Sequence, residues 1–368
     1  MMKKILLIVP ALHQGGFEKV CVATARLLQP YYQVQIAIFD SRNIAYDIKG
    51  IPVTDLHLPS RKGAFAKVIN VLKRGHRLRK LKQREKIDIA YSFGPTANLA
   101  NIASGKAAKL WLGIRSYMDM GNPGQIRLFC RHADKLICCS EMIRDEVEKR
   151  YGCKKAVTLS NPFDKKEVEA LAQAEETQLP WEDGRILVSM GREDTVKGFW
   201  HLIKAFFLVH EKLVDTKLLI IGEGEFSAYR ELAEGLGIGD VVYFTGLKRN
   251  PYPYLKKSIL YVLTSYNEGF PNAMVEAMAL DVPVIATDCM TGPKEILEDR
   301  YGILVPNMSP DADFDPANIT EEEKRLAKQI TDLLEDEDKL AHYSEMAGKR
   351  AGDYSAEAYV EKIRSWVG

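Results

Sequence analysis

Two carboxylates and two cations in the second half of the chain have a spacing on which chemistry could be built. Glu268 and Glu276 lie in the run S-Y-N-E-G-F-P-N-A-M-V-E-A-M-A-L, residues 265–280. An apolar, β-rich segment (259–264) precedes the run and another (283–287) follows it. The order strand, polar loop, helix, strand is that of a βαβ unit in a parallel sheet. Pro271 suits the first turn of the helix, where its missing N–H costs nothing. Phe270, Ala273, Met274, Ala277 and Met278 then recur at helical spacing as one apolar stripe. Glu268 falls in the loop before the helix. Glu276 falls on the helix, off the stripe, roughly 7 Å along the axis at about 1.5 Å per residue. Between them, around Gly269, Phe270, Pro271 and Asn272, the unpaired N–H groups of the helix N-terminus form an anion site.

A carboxylate, an anion site and a second carboxylate suit a ligand with polyol, phosphate and polyol in a row, the layout of a nucleotide sugar. The cations fit the same ligand. Arg192 and Lys197 lie in G-R-E-D-T-V-K-G, residues 191–198, at the end of an expected strand over 185–190. Arg offers a planar fork to phosphate oxygens and Lys a compact charge, so the pair suits a diphosphate. Isolated charged residues are mostly solvated. These gain weight from standing at the C-terminal ends of strands, where open α/β sheets bind ligands.

The elements that must position these residues are strands alternating with helices over 368 residues, enough for two domains. The first strand is expected over 3–10 and the first helix over 17–28, joined by a loop that contains Gly15 and Gly16. Paired glycines let backbone approach a ligand. The pattern is not G-x-G-x-x-G, which counts against a dinucleotide dehydrogenase. The opening M-M-K-K-I-L-L-I-V-P lacks a small-residue cleavage site and reads as a buried strand rather than a signal peptide. Further strands are expected over 34–39, 53–58, 88–93, 110–114, 135–139 and 156–159, then 217–221, 241–245 and 302–306. Helices are expected over 140–151, 199–213, 321–334, 337–350 and 356–366. The polar segment 172–184 reads as a surface connection.

Six cysteines occur without a C-x-x-C pair, which favours reduced, buried thiols of a cytoplasmic protein over zinc or disulfides. No apolar run approaches the length of a bilayer span. Residues 1–160 hold 28 basic and 12 acidic side chains, a charge of +16, against −15 for the remainder. The stretch Arg61–Lys86 alone holds eleven cations and one acid. Phe65, Val68, Ile69 and Leu72 within it form a helical stripe. One reading is an ordinary helix packed on the sheet with a charged outer face. The other, favoured by the basic first half, is a helix touching an anionic membrane surface. Nucleic acid is disfavoured for want of a binding motif. Asp311 and Asp313 form a D-x-D string in a polar loop away from the strand ends. They read as a solvated insertion, and no metal is expected because its ligands must converge in a pocket.

The succession E-G-F-P-N-A-M-V-E-A-M-A, P-V-I-A-T-D and G-P-K-E-I-L resembles the retaining GT-B glycosyltransferases. This large group 1 family, marked by E-x7-E, includes sucrose synthase and bacterial capsule and lipopolysaccharide transferases. The G-R-x(3–4)-K-G string at 191–198 matches the family too, and N-P-F-D at 161–164 resembles its entry to the second domain.

The resemblance implies two doubly wound Rossmann-like domains facing across a cleft. Residues 1–160 would form the acceptor domain, with 354–368 packing back on it, and 161–353 the donor domain. It implies that Glu268 holds the transferring sugar, Arg192 and Lys197 the diphosphate and Glu276 the ribose, while Gly15 and Gly16 face the cleft. It further implies a hexosyl or N-acetylhexosaminyl group carried by a UDP-sugar, retention of anomeric configuration, and no cofactor. The acceptor would be a glycan or a polyprenyl-linked glycan in cell-surface polysaccharide synthesis, at the cytoplasmic side of the membrane. Many family members carry a His soon after the strand at 110–114. None occurs here before His132, and His13 is assigned no role. A nucleotide-sugar epimerase or a non-catalytic sugar-binding protein could share the same architecture.

Overall fold

The leucine-, isoleucine- and valine-rich runs become the parallel strands of two sheets. The computed structural model describes residues 2–13, 15–60, 62–174 and 177–368. Arg61, at the head of the basic stretch, and Glu175 and Glu176 of the expected connection lie outside the described residues. The chain divides into Met1–Pro162 with Ala356–Gly368, and Phe163–Ser355.

The first unit runs β1 (Lys4–Ala11), α1 (Gly16–Leu28), β2 (Gln33–Asp40), β3 (Val53–Asp55), α2 (Ala64–Glu85), β4 (Ile89–Phe93), α3 (Pro95–Ala103), β5 (Lys109–Ile114), α4 (Pro123–His132), β6 (Lys135–Cys138), α5 (Glu141–Tyr151) and β7 (Ala156–Thr158). Its seven-stranded sheet has the order β3-β2-β1-β4-β5-β6-β7. Leu7 pairs with Ile36 on one side and Tyr91 on the other, both in parallel register. The strand order reverses between β1 and β4, so the loop with Gly15 and Gly16 opens at this sheet's switch point.

The second unit runs α6 (Lys165–Gln173), β8 (Arg185–Met190), α7 (Phe199–Lys212), β9 (Thr216–Ile221), α8 (Ser227–Gly235), β10 (Val242–Phe244), α9 (Tyr252–Lys256), β11 (Leu260–Leu263), α10 (Asn272–Ala279), β12 (Val284–Thr287), α11 (Pro293–Leu297), β13 (Ile303–Val305), α12 (Glu321–Leu334) and α13 (Glu337–Gly352). Its six-stranded sheet has the order β10-β9-β8-β11-β12-β13, with the reversal between β8 and β11. The two chain crossings lie side by side, since Phe163 N–H donates to Tyr354 O at 3.1 Å. Beyond them α14 (Ala356–Val367) buries Tyr359, Val360, Ile363 and Val367 in the core of the first unit. Trp366 meets Trp111 edge-on there, with ring centroids 5.9 Å apart.

Of the two readings of α2, the structure sets aside the helix packed on the sheet by its apolar stripe. The stripe faces solvent: Phe65 is 81% exposed, Val68 59% and Leu72 61%. The buried face is Asn70, Arg74, Gly75, Leu78, Leu81 and Lys82. Gly75 decides the orientation. A Cβ there would stand 2.6 Å from the Ala103 Cβ, so α2 crosses α3 closely at this point. Two of the cations counted as surface charge are therefore buried. Arg74 donates to Leu58 O from Nε (3.0 Å) and Nη2 (2.6 Å), and its guanidinium lies 4.3 Å from the Phe39 ring centre. Lys82 Nζ donates to Asn101 Oδ1 (2.7 Å) and Ser104 Oγ (2.6 Å), and burial pushes its ammonium down to about 7.

Candidate active site

The switch point of the second sheet gathers the loops that carry Arg192, Lys197 and Glu268. After β8 the chain turns across the end of β9: Gly191 N–H donates to Ile221 O (2.9 Å) and Glu193 N–H to Glu223 O (2.7 Å). Asp194 then serves two neighbours. Its Oδ1 accepts from Val196 N–H at 3.1 Å, capping a short 3₁₀ turn, and its Oδ2 accepts from Arg192 Nη2 at 2.8 Å. Gly198 follows at φ 60°, and a Cβ there would meet Thr264 O at 2.3 Å. Glycine is needed both for the dihedral and for the close approach. Thr264 Oγ1 donates to Lys197 O at 3.0 Å, and Tyr266 N–H to Val196 O at 3.1 Å. The Lys197 backbone is thus fastened to the chain leaving β11.

The two loops also meet through their side chains. Glu268 Oε1 accepts from Lys197 Nζ at 2.7 Å and from Ser265 Oγ at 2.7 Å. The Glu268 side chain is 12% exposed and that of Lys197 22%, so the pair is shielded but reachable. The loop after β12 holds the other side. Glu268 N–H donates to Met290 O (2.6 Å), Thr291 N–H to Glu268 O (3.0 Å), and Thr291 Oγ1 to Gly269 O (2.8 Å). Phe270 is buried with its ring edge-on to Tyr354. Pro271 is the N-cap of α10 rather than its first residue, and Asn272 opens the helix.

Glu276 departs from its expected place on an outer, polar face: it is 6% exposed. The helix is short and packs against α6, α9 and α13 as well as the sheet, so it is buried nearly all round and its apolar stripe is not its only covered side. Both glutamates act on one group. Burial pushes the phenol of Tyr261 in β11 up, and the charges of Glu268 and Glu276 add to that. Cys289 is pushed up to about 12, by burial first and then by Glu268, so it stays a thiol beside the cluster.

The site thus brings together Glu268, Lys197 and the Gly269–Asn272 loop, with Glu276 below on α10. Arg192 shares the loop of Lys197, but it is turned to Asp194 and its side chain is 69% exposed. Gly15 and Gly16 belong to the first unit. Tyr46 Oη clamps their loop, accepting from Gly15 N–H (2.9 Å) and donating to Gly15 O (2.7 Å). Gly16 begins α1, one residue earlier than the apolar pattern placed it. Ser265 and Asp194 were not picked out from sequence. Only their proximity to the marked glutamate and cations could have drawn attention to them.

The D-x-D string is tied down rather than freely solvated. Asp313 Oδ2 accepts from the buried Lys204 Nζ (2.9 Å) and from Asn318 Nδ2 (2.8 Å), and Asp313 Oδ1 accepts from Asp315 N–H (2.9 Å). The Asp315 N–H and then the Lys204 ammonium hold this carboxyl below the usual range. A depressed folded-state pKa gives stability that is present above the unfolded pKa and lost as pH falls through the folded value. Asp313→Asn is therefore expected to melt below the wild type at neutral pH, with the two converging as pH falls below the ordinary carboxylate range. Thermal melts across pH check this, and an offset that does not shrink in acid would remove the carboxylate from the account. Among the described residues, no group of three His, Cys, Asp or Glu side chains could hold a metal ion.

The family model for group 1 glycosyl transferases matches residues 172–350, and that for glycosyltransferase family 4 matches residues 14–167. An uncharacterized glycosyltransferase of Methanocaldococcus jannaschii is 30% identical over 335 residues, which are 79% of this chain and 82% of that one. A second relative is the N-acetylgalactosamine-N,N'-diacetylbacillosaminyl-diphospho-undecaprenol 4-alpha-N-acetylgalactosaminyltransferase of Campylobacter jejuni. It is 25% identical, over 89% of this chain and 92% of its own. Among solved structures, Anabaena HepE in complex with UDP and glucose superposes with a TM-score of 0.78 at 20% identity, over 100% of this chain and 99% of that one. The architecture is the GT-B fold. The chain belongs to the group 1 glycosyltransferases.

Proposed function

We propose that this enzyme transfers a hexosyl or N-acetylhexosaminyl group from a UDP-sugar to a glycan, lipid-linked in the cell, with retention of anomeric configuration. The observation that carries the reading is the Lys197–Glu268–Ser265 cluster at the β8/β11 switch point, beside the N-terminus of α10. Glu268 accepts hydrogen bonds from hydroxyls of the transferring sugar. Lys197, with Arg192, neutralises the diphosphate. The α10 N-terminus at Asn272 adds a positive partial charge as that group departs. Glu276 accepts from the ribose hydroxyls. With no protein nucleophile assigned, the acceptor hydroxyl attacks the anomeric carbon from the face the diphosphate leaves. The new carbon–oxygen bond forms as the old one breaks, and the acceptor proton passes to the departing diphosphate. The uridine nucleotide is supported by the UDP and glucose bound to HepE, and the lipid-linked acceptor by the name of the Campylobacter jejuni relative.

The test is incubation of labelled UDP-sugars with the enzyme and a lipid-linked glycan fraction. UDP and a glycoside of unchanged anomeric configuration, resolved by NMR, are the expected products. An epimerised donor without glycoside, or an intact donor, would overturn the reading. Activity is expected to persist in EDTA, because protein cations and a helix terminus face the diphosphate in this scheme. Loss on chelation with recovery on adding magnesium would contradict it.

A further inference from the structure

The outer face of α2 carries an arrangement that the transfer reaction does not use. At about 100° per residue, Phe65, Val68, Ile69 and Leu72 share one side of the helix with His76, Arg79 and Lys80, and Lys73 lies at its margin. The first two turns of that side are apolar and the later turns basic. Phe65, Val68 and Leu72 are the most exposed apolar residues of the helix, and no Asp or Glu occurs between Lys62 and Arg84. A shallow groove lined by His57, Ile69, Leu72, Lys73 and His76 runs along the apolar end. This composition is not left over from core packing, because the buried side of the helix has its own set of residues, fixed by the Gly75–Ala103 crossing.

We infer that this face docks on an anionic lipid bilayer. Phe65, Val68 and Leu72 enter the boundary between headgroups and acyl chains, while Lys73, Arg79 and Lys80 meet lipid phosphates. An amphipathic surface helix with cations beside its apolar face binds in this way, through buried apolar area plus attraction to anionic headgroups. Charge argues against the other occupants. A second copy in a two-fold contact would bring this unbroken basic face against itself. Nucleic acid would reward the cations but not exposed Val68 and Leu72. The inference rests on α2 alone and holds whether or not the acceptor is lipid-linked. Burial removes Arg74 and Lys82 from the surface charge that the sequence offered.

The experiment is co-flotation with vesicles of phosphatidylcholine alone or mixed with phosphatidylglycerol, at low and high salt. Wild type is expected to float with anionic vesicles at low salt and to be released at high salt, since such attraction decays over about a Debye length, roughly 8 Å at physiological ionic strength. Phe65→Ser/Leu72→Ser and Lys73→Glu/Lys80→Glu are each expected to lower partitioning on the order of tenfold or more. All four positions are exposed, so folding should survive, and UDP affinity by calorimetry should match wild type. Failure of UDP binding in wild type would count against the transfer reading and leave this one standing. Wild type remaining unbound to anionic vesicles at low salt, or both double variants floating like wild type, would overturn the inference. So would a wild-type dimer that either double variant dissociates in sedimentation velocity.

Discussion

Glu268→Gln is expected to lower kcat by about 10²- to 10³-fold, the scale on which removing one preorganised electrostatic contact to a transition state acts. The substitution keeps the shape of the side chain, and the amide oxygen can still accept from Ser265 Oγ and Lys197 Nζ, which now meet at Oε1. In the proposed reaction, what disappears is the negative charge facing the anomeric centre, where positive charge grows as the diphosphate departs. The loss should therefore fall on kcat rather than on UDP affinity, since UDP has no sugar for Glu268 to hold. The loop is held by backbone contacts to Met290 and Thr291 that the substitution leaves intact. The melting temperature should stay within roughly 2–4 °C, the equivalent of about 1 kcal/mol for a domain of this size. Steady-state kinetics with calorimetry of UDP separates the cases. Wild-type turnover in the variant would remove Glu268 from the reaction.

The sequence reading succeeded where local chemistry and tertiary structure agree. Runs such as Ile5–Val9 and Leu218–Ile221 are apolar throughout because parallel strands are covered on both faces, and they are buried strands in the structure. Helices were expected over 140–151 and 321–334, and in the structure the Ser140 and Thr320 side chains cap the first N–H groups there. The placement of Glu268, Lys197 and Gly198 at strand ends was equally legible, since glycine and charge between a strand and a helix have few structural uses. The contact between Lys197 and Glu268, 71 positions apart, was not, because it depends on the strand order β8-β11 that brings their loops together.

Helix faces were harder to read, for a different reason. An apolar stripe normally points inward, and α2 departs from that rule. Three features overrode it: a glycine crossing, the carbonyl of Leu58 for Arg74, and the Asn101 and Ser104 side chains for Lys82. Buried cations are tolerated when such acceptors are present, and nothing local in the sequence of α2 announces them. The same limit hid the burial of Glu276, since a helix covered by other helices on several sides has no polar face for a pattern to show.

Lys197→Met is expected to weaken UDP binding by roughly 10- to 100-fold, from the loss of a charge-assisted hydrogen bond of about 1.5–3 kcal/mol. In the structure the Lys197 ammonium already has a partner, Glu268, at 2.7 Å, and its backbone is fixed by Thr264 and Tyr266. A cation so positioned needs little reordering to meet a phosphate, which keeps the entropic cost of the contact small. Arg192→Ala should cost less, under about tenfold, because an exposed cation is well screened by water and its fork is committed to Asp194. The order of the two effects distinguishes the geometry from the sequence motif, which treats both cations alike. Calorimetric titration of UDP into each variant provides the comparison. If Lys197→Met binds UDP as tightly as wild type, the lysine is only a structural partner of Glu268. If Arg192→Ala has the larger effect, Arg192 leaves Asp194 to become the main phosphate contact.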